Sequence, residues 1–254
     1  MKWYIPREHG AWSMWIAPYL IGSFVSPWNW VKIMAFLGLF FLYLSTAPLL
    51  EYIRRSSSRR KQKGVNRGSP LPSLIIYISL GVLFMVWPVL LYAEILWYAV
   101  IPIPFFLVNV YFASRKKERL VMNDLAAIIA LGASSLLATH LGFGHFHSVG
   151  LIVWLLSIFY YLGTVFHAKS MIRERGNLQV KRIANLYHGI YVVIPLFLGW
   201  WWVSLIYLPS AIKVWLTPFN SPIRAKTIGM MEIGFSILFV IMSIGLIKMS
   251  VLNG

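Results

Sequence analysis

The sequence predicts an all-α fold, a multi-pass transmembrane helical bundle of about nine spans with the N-terminus inside and the C-terminus outside, and three observations carry that prediction. The 254 residues are 59% hydrophobic and only 12% charged, with a mean hydropathy of +0.72, outside the range of soluble globular domains. Apolar stretches of about 18 to 20 residues, long enough for a bilayer core of roughly 30 Å, follow one another almost back to back. Charge gathers between them: 23 Lys and Arg against 7 Asp and Glu, a net charge of +16. In a soluble chain that excess suggests nucleic acid. Short cytoplasmic loops that collect Lys and Arg explain it here, so membrane lipids and no nucleic acid are the expected partners. Cysteine is absent, which excludes disulfides, thiolate metal sites and Cys nucleophiles. A single Lys before Trp3, with no small-residue cleavage site, does not read as a removed signal peptide.

The predicted spans lie near 8–26, 31–50, 74–92, 95–113, 123–141, 149–167, 185–199, 201–216 and 228–248. The first opens behind Pro6, which suits a first helical position. The second ends in Glu51, Arg54 and Arg55 and leads into a basic, Ser- and Gly-rich loop over 51–73, a solvated segment that orients the chain and attracts anionic headgroups. A short hairpin at Glu94 joins the third and fourth spans. Arg115, Lys116, Lys117 and Arg119 separate the fourth from the fifth, whose opening Asn123 and Asp124 read as cap and dipole partner. The sixth is expected to run on as helix to Gly176, with Arg173 and Arg175 in its last turn. Between the seventh and eighth, Trp200, Trp201 and Trp202 read as an interfacial turn. With the N-terminus inside, only Lys32 and Lys248 among the basic residues fall on the outer side. The chain is one integral membrane domain, 1–254. Ile53-Arg54-Arg55 resembles Ile172-Arg173-Glu174-Arg175 four spans later, which suggests halves 1–113 and 114–216 plus a final helix.

Charges in or beside a span are costly, about 2.5 to 3.5 kcal/mol at its centre, so the seven acids are the first candidates for chemistry. Six of them, Glu8, Glu51, Glu118, Asp124, Glu174 and Glu232, fall at cytoplasmic ends. At the first mouth Arg7, Glu8 and His9 precede Trp12, with Glu8, Trp12, Trp15 and Tyr19 at helical spacing; capping and interfacial anchoring would need no function. On the sixth span Tyr160, Thr164, His167, Met171 and Glu174 share one face, and the seventh begins with Asn185 and His188, so two imidazoles and a carboxylate can meet. Snorkelling charges with a hydrogen-bonded histidine are the plainer explanation. Glu232 lies a turn inside the last span with Ser236 and Ser243 on its stripe, and should face the bundle. His140, His145 and His147 sit in a glycine-rich outer loop with no Cys, so no metal site is assigned. No phosphate loop, dinucleotide fingerprint or nucleophile elbow is present.

The chain resembles the YwiC-like family of bacterial membrane proteins. The resemblance rests on Pro6-Arg7-Glu8-His9-Gly10-Ala11-Trp12 with Pro18 and Gly22, on Lys117-Glu118-Arg119, and on Tyr161-Leu162-Gly163-Thr164-Val165 running to Ile172-Arg173-Glu174-Arg175. It implies a topology and brings no established reaction. More distantly, nine spans with basic loops after the second and sixth resemble the UbiA-type intramembrane prenyltransferases, which hold magnesium and a prenyl diphosphate with Asp-rich motifs in those loops. Here each loop offers one acid, Glu51 or Glu174, too few oxygens for such a site.

The expectation is therefore a cytoplasm-facing intramembrane cavity in a bacterial cell membrane. Its candidate reactive groups are Glu8, His9, Asp124, His167, Glu174, His188 and Glu232, with Arg7, Trp12, Glu51, Arg54, Arg55, Asn123, Arg173, Arg175 and Asn185 for binding. It would bind or modify an amphipathic anionic lipid of the isoprenoid or quinone-precursor type; an enzyme here would be a UbiA-like transferase, and no cofactor is assigned. A small-solute or proton-coupled permease, with Glu232 and the histidines as relay, and a membrane scaffold are the rivals. Little mid-bilayer polarity favours lipid handling.

Overall fold

The computed structural model describes residues 3–6, 9–56 and 68–252; Arg7, Glu8, the His9 side chain and most of the basic loop after the second span lie outside the described residues. The described residues form nine consecutive helical legs. They are α1 (His9–Phe24), α2 (Val31–Ser56) and α3 (Leu71–Leu91), then a fourth leg of α4 (Leu96–Val100) and α5 (Pro102–Ser114), and a fifth of α6 (Val121–Gly132) and α7 (Ser134–Phe143). α8 (Ser148–Ala168), α9 (Leu178–Phe197), α10 (Trp201–Leu216) and α11 (Ala225–Ile247) complete the bundle. Six legs are long and apolar enough to cross a membrane, and α10 is a shorter apolar helix.

The fifth leg lies at the centre. Every residue from Ser134 to Leu141 is buried, and its polar side chains are hydrogen-bonded inside the bundle, Ser134 to the Trp15 carbonyl, Ser135 to the Gly150 carbonyl, Thr139 to the Ser135 carbonyl and His140 to Tyr98. Its chain breaks at Ala133, and carbonyls near the break find side-chain donors: Trp154 Nε1 donates to Ile129 at 2.9 Å and Ser135 Oγ to Gly132 at 3.1 Å. Without water, such groups must be satisfied internally. α2 and α3 pack as a hairpin, while α3 and the fourth leg leave much of their apolar surface facing outward. The chain turns between α9 and α10 at Leu198–Trp200, with Gly199 at φ +78° supplying the left-handed residue after α9, while Trp201 and Trp202 already open α10.

Three local expectations are corrected. Pro6 precedes α1 instead of opening it, and accepts a hydrogen bond at its carbonyl from Trp12 Nε1 at 3.3 Å. Asn123 is not a cap: α6 begins at Val121 behind extended Leu120, and Asn123 ties α6 to its neighbours, accepting from Asn109 Nδ2 at 2.9 Å and donating to the Glu118 carbonyl at 3.0 Å. The seventh leg starts at Leu178, seven residues before the expected 185, because Asn177 caps it by accepting from the amides of Gln179 and Val180. Lys181 and Arg182 thereby move from a loop into a helix.

Contacts place the basic segments at one end. Arg55 donates to Tyr4 Oη at 2.8 Å, Arg54 pairs with Glu118 at 2.7 Å, Lys169 donates to the Arg119 carbonyl at 3.0 Å, and Arg175 donates to the Ile223 carbonyl. At the opposite end Asn29 donates to the Leu141 carbonyl. The positive-inside rule makes the basic end cytoplasmic. Cysteines introduced at Ser114 and Gln179 should therefore resist an impermeant maleimide in intact cells, whereas one at Gly144 should react. Labelling at Gln179 in unbroken cells would reverse the orientation.

Candidate functional site

Inside the basic end, the C-terminal ends of α8 and α10 and the N-terminal halves of α9 and α11 converge on one buried ionic centre. Glu232 lies two turns into α11 and points inward, on the stripe continued by buried Ser236 and Ser243. Lys213, one turn before the end of α10, donates to Glu232 Oε1 at 2.6 Å with its side chain 1% exposed, and its ammonium lies 4.9 Å from the Phe235 ring centre. His167, at the end of α8, brings Nε2 to 3.7 Å from the same carboxylate oxygen, a charge-range approach too long for a hydrogen bond.

His188 of α9 is fully buried and donates from Nδ1 to the Ala184 carbonyl at 2.7 Å. A carbonyl only accepts, so that contact fixes the proton on Nδ1 and leaves Nε2 with a bare lone pair. The ring fits because residue 163 is glycine: a Cβ there would stand 3.1 Å from His188 Nε2. Lys181, two turns earlier on the same face of α9, is buried and donates to the Val214 carbonyl at 2.8 Å. Among the described residues no carboxylate pairs with Lys181. Lys213 pairs with Glu232, and Lys181 lies within charge range of both imidazoles, leaving the group one positive charge in surplus when both imidazoles are neutral.

Of the predicted site residues, the fold brings Glu232, His167 and His188 together, and places Asn185 one turn before His188 with its Oδ1 buried and without a protein partner. The carboxylate that approaches His167 is Glu232, not Glu174. After Ala168 the α8 helix widens into a π turn over Lys169–Arg173, closed by the Glu174 amide donating to the Lys169 carbonyl at 2.8 Å. The extra residue rotates Glu174 off the stripe of Tyr160, Thr164, His167 and Met171, and it is exposed.

The other predicted residues are engaged elsewhere at the basic end. Arg54 pairs with Glu118 and Glu51, and Arg55 with Glu51 at 2.8 Å. Asp124 pairs with Lys169 at 3.2 Å. Arg173 reaches the Arg119 carbonyl at 3.4 Å, and Arg175 the Met171 carbonyl at 3.0 Å. Far away, His140 bonds Tyr98 at 2.9 Å and lies 3.4 Å from Glu94, and His147 Nδ1 accepts the Val149 amide at the start of α8. No three described metal-ligating side chains cluster.

Lys213 and Lys181 are the residues sequence reasoning missed. A signal existed for the first: it is the only charge in an otherwise apolar span, and an intramembrane acid needs a partner.

Beside the centre, α1 and α11 part to form a groove of about 440 Å³, lined by Trp12, Ser13, Ile16, Leu20, Ser236 and Ile237 among others. Apart from its two serines the lining is apolar. The hydroxyls of Tyr160 and Tyr161 lie beside Ser236, and Ser236 is one turn from Glu232. An apolar channel therefore ends in hydroxyls next to the charged centre.

Fold and centre together define a multi-pass helical membrane protein with a buried ionic centre at its basic end. A family model described as YwiC-like protein matches residues 5–139. The chain belongs to the YwiC-like family. It is 31% identical to the uncharacterized protein YwiC of Bacillus subtilis (strain 168), over 92% of this chain and 93% of that one. It is 27% identical to an uncharacterized protein of Haemophilus influenzae, over 95% of this chain and 98% of that protein. No solved structure matches the chain.

Proposed function

We propose that the protein, in a bacterial cell membrane, binds an amphipathic lipid with an anionic head, its chain in the α1–α11 groove and its head at the Lys213–Glu232 centre. The observation that carries this reading is the continuity of the two. The groove is apolar along Ile16, Leu20 and Ile237 and polar at Ser13 and Ser236, a turn short of a centre with one surplus positive charge. Burying a lipid chain in such a groove is favourable at about 25 cal/mol per Å² only relative to water, so selectivity has to come from the head. Of the two lysines, Lys181 is the one with no carboxylate partner among the described residues. Arg54 and Arg55 already hold carboxylates, which moves the anion site inward from the loops.

Native mass spectrometry of the purified protein is expected to show a defined lipid adduct. Ile237→Trp fills the groove from a position that is already exposed to lipid, and should remove the adduct without unfolding the protein. An adduct that survives Ile237→Trp at full occupancy would sink the groove as its site.

A proton-coupled permease is the second reading, favoured by one observation that runs against the expected lack of interior polarity. Tyr160, Tyr161, Ser236, Tyr191 and Ser243 are all buried between α8, α9 and α11 beyond Glu232. Proton uptake into proteoliposomes that disappears in Glu232→Gln would favour it over lipid binding.

A further inference from the structure

We propose that His140 is an acid-operated catch on the outer side of the membrane: a proton taken up from outside pairs it with Glu94 and tightens the hairpin between the third and fourth legs against the central fifth leg. The catch lies at the end of the bundle away from the groove and does not depend on what the groove binds. His140 stands in the last turn of α7 with its side chain 3% exposed. Both ring nitrogens face the hairpin. Nδ1 lies 2.9 Å from Tyr98 Oη and Nε2 3.4 Å from Glu94 Oε2, and the ring meets those of Tyr92 and Tyr98 edge-on. A neutral ring takes the Tyr98 hydroxyl proton at Nδ1 and turns Nε2–H toward Glu94, which approaches without a hydrogen bond. In the charged ring both nitrogens donate, Nδ1 to Tyr98 Oη and Nε2 to the carboxylate, so the partners suit either state. What the proton adds is charge at the Glu94 contact. The Glu94 side chain is 73% exposed and free to move in, and a cation in the last turn of a helix is favoured by its dipole.

The other titratable groups around the ring are engaged or distant from the hairpin. Tyr19 of α1 donates to the Lys32 carbonyl, and the Lys32 ammonium of α2 donates to Ser23, Ser26 and Pro27. His147, at the head of α8, accepts the Val149 amide, and exposed His145 on the loop after α7 is the other histidine whose charge reaches His140. Among the described acids only Glu94 lies away from the cytoplasmic end, so His140 has no second carboxylate to pair with. The third and fourth legs are the least buried of the long ones. Among the described residues, polar side chains tie the fourth leg to the fifth at two places. Asn109 Nδ2 donates to the Asn123 carbonyl and Oδ1 at 2.9 Å toward the inner end, and the His140 contacts close the outer end, beside Ile95 buried with Leu137, Ala138 and Leu141. The amide tie does not titrate and the imidazole tie does. The outer end of the leg therefore tightens in acid and loosens as pH rises through the imidazole range of about 5 to 8.

The chain has no cysteine, so spin labels at Trp97→Cys and Leu198→Cys, both exposed positions, report the hairpin against the α9–α10 turn in the full-length protein in nanodiscs. The distance distribution from double electron–electron resonance should narrow at least about twofold between about pH 8 and about pH 5.5. Glu94→Gln, at a site exposed enough to leave the fold intact, should abolish the narrowing, and so should His140→Gln. His145→Gln/His147→Gln should retain it. A distribution that ignores pH in the otherwise unaltered protein, or a narrowing that survives Glu94→Gln, would overturn the catch. A narrowing lost in His145→Gln/His147→Gln and kept in His140→Gln would overturn its assignment to His140.

Discussion

Glu232→Leu is expected to cost about 3 to 5 kcal/mol of stability, and Lys213→Met added to it should recover most of the loss. Lys213 is almost wholly buried and donates to Glu232 at 2.6 Å, so removing the acid strands an ammonium in a low-dielectric interior. Removing both leaves apolar side chains of similar size and no orphaned charge, and replacing a buried pair in this way is often neutral or better. Thermal unfolding in detergent, run as a double-mutant cycle over wild type, the two single variants and the double, reads the coupling directly. Additive losses with no recovery in the double variant would mean that the pair does not interact as described. The same cycle bears on function, because a centre retained for binding should lose ligand in the double variant even where stability returns.

Lys32→Met should cost about 3 kcal/mol or more, an unusual result for a lysine that the sequence places at a loop edge. At the end away from the basic loops α1 finishes at Phe24, and its trailing carbonyls turn back onto this one ammonium. Lys32 Nζ donates to the carbonyls of Ser23 at 2.9 Å and Pro27 at 2.8 Å and to Ser26 Oγ at 2.7 Å, while its own carbonyl accepts from Tyr19 Oη at 2.5 Å. The side chain is 1% exposed. A cation at a helix C-terminus is favoured by the helix dipole, and each buried acceptor left unpaired costs about 1 to 3 kcal/mol. Lys248→Met, at an exposed position near the same end, is the control and should change stability by less than about 0.5 kcal/mol. Equal effects of the two substitutions would show that the Lys32 cage contributes nothing.

Glu232 shows how far pattern reaches. Its stripe with Ser236 and Ser243 follows from helical spacing, and its inward direction from the cost of an acid facing lipid; both are properties of one helix. Its partner is a property of two. Lys213 lies on α10, and which turn of α10 meets which turn of α11 depends on the loop between them and on packing against α8, which no periodicity records. Glu174 failed for a related reason: the i, i+4, i+7 pattern presumes an unbroken α-helix, and one π turn at Lys169–Arg173 shifts the register by a residue. Lys181 was hidden by a boundary, since Asn177 starts α9 earlier than the apolar run does.

By itself the sequence determined that this is a helical membrane protein, how its legs follow one another and which end carries the charge, because bilayer thickness and the positive-inside rule act on each segment separately. The tertiary structure alone decided which charges neutralise one another: Arg54 with Glu118, Asp124 with Lys169, Lys213 with Glu232. It also decided that the surplus cation and the bare acceptors of His167, His188 and Glu232 share one centre. An ion pair forms over a few ångströms between residues 19 to 64 positions apart, and only the packing of helices against one another brings them within that reach.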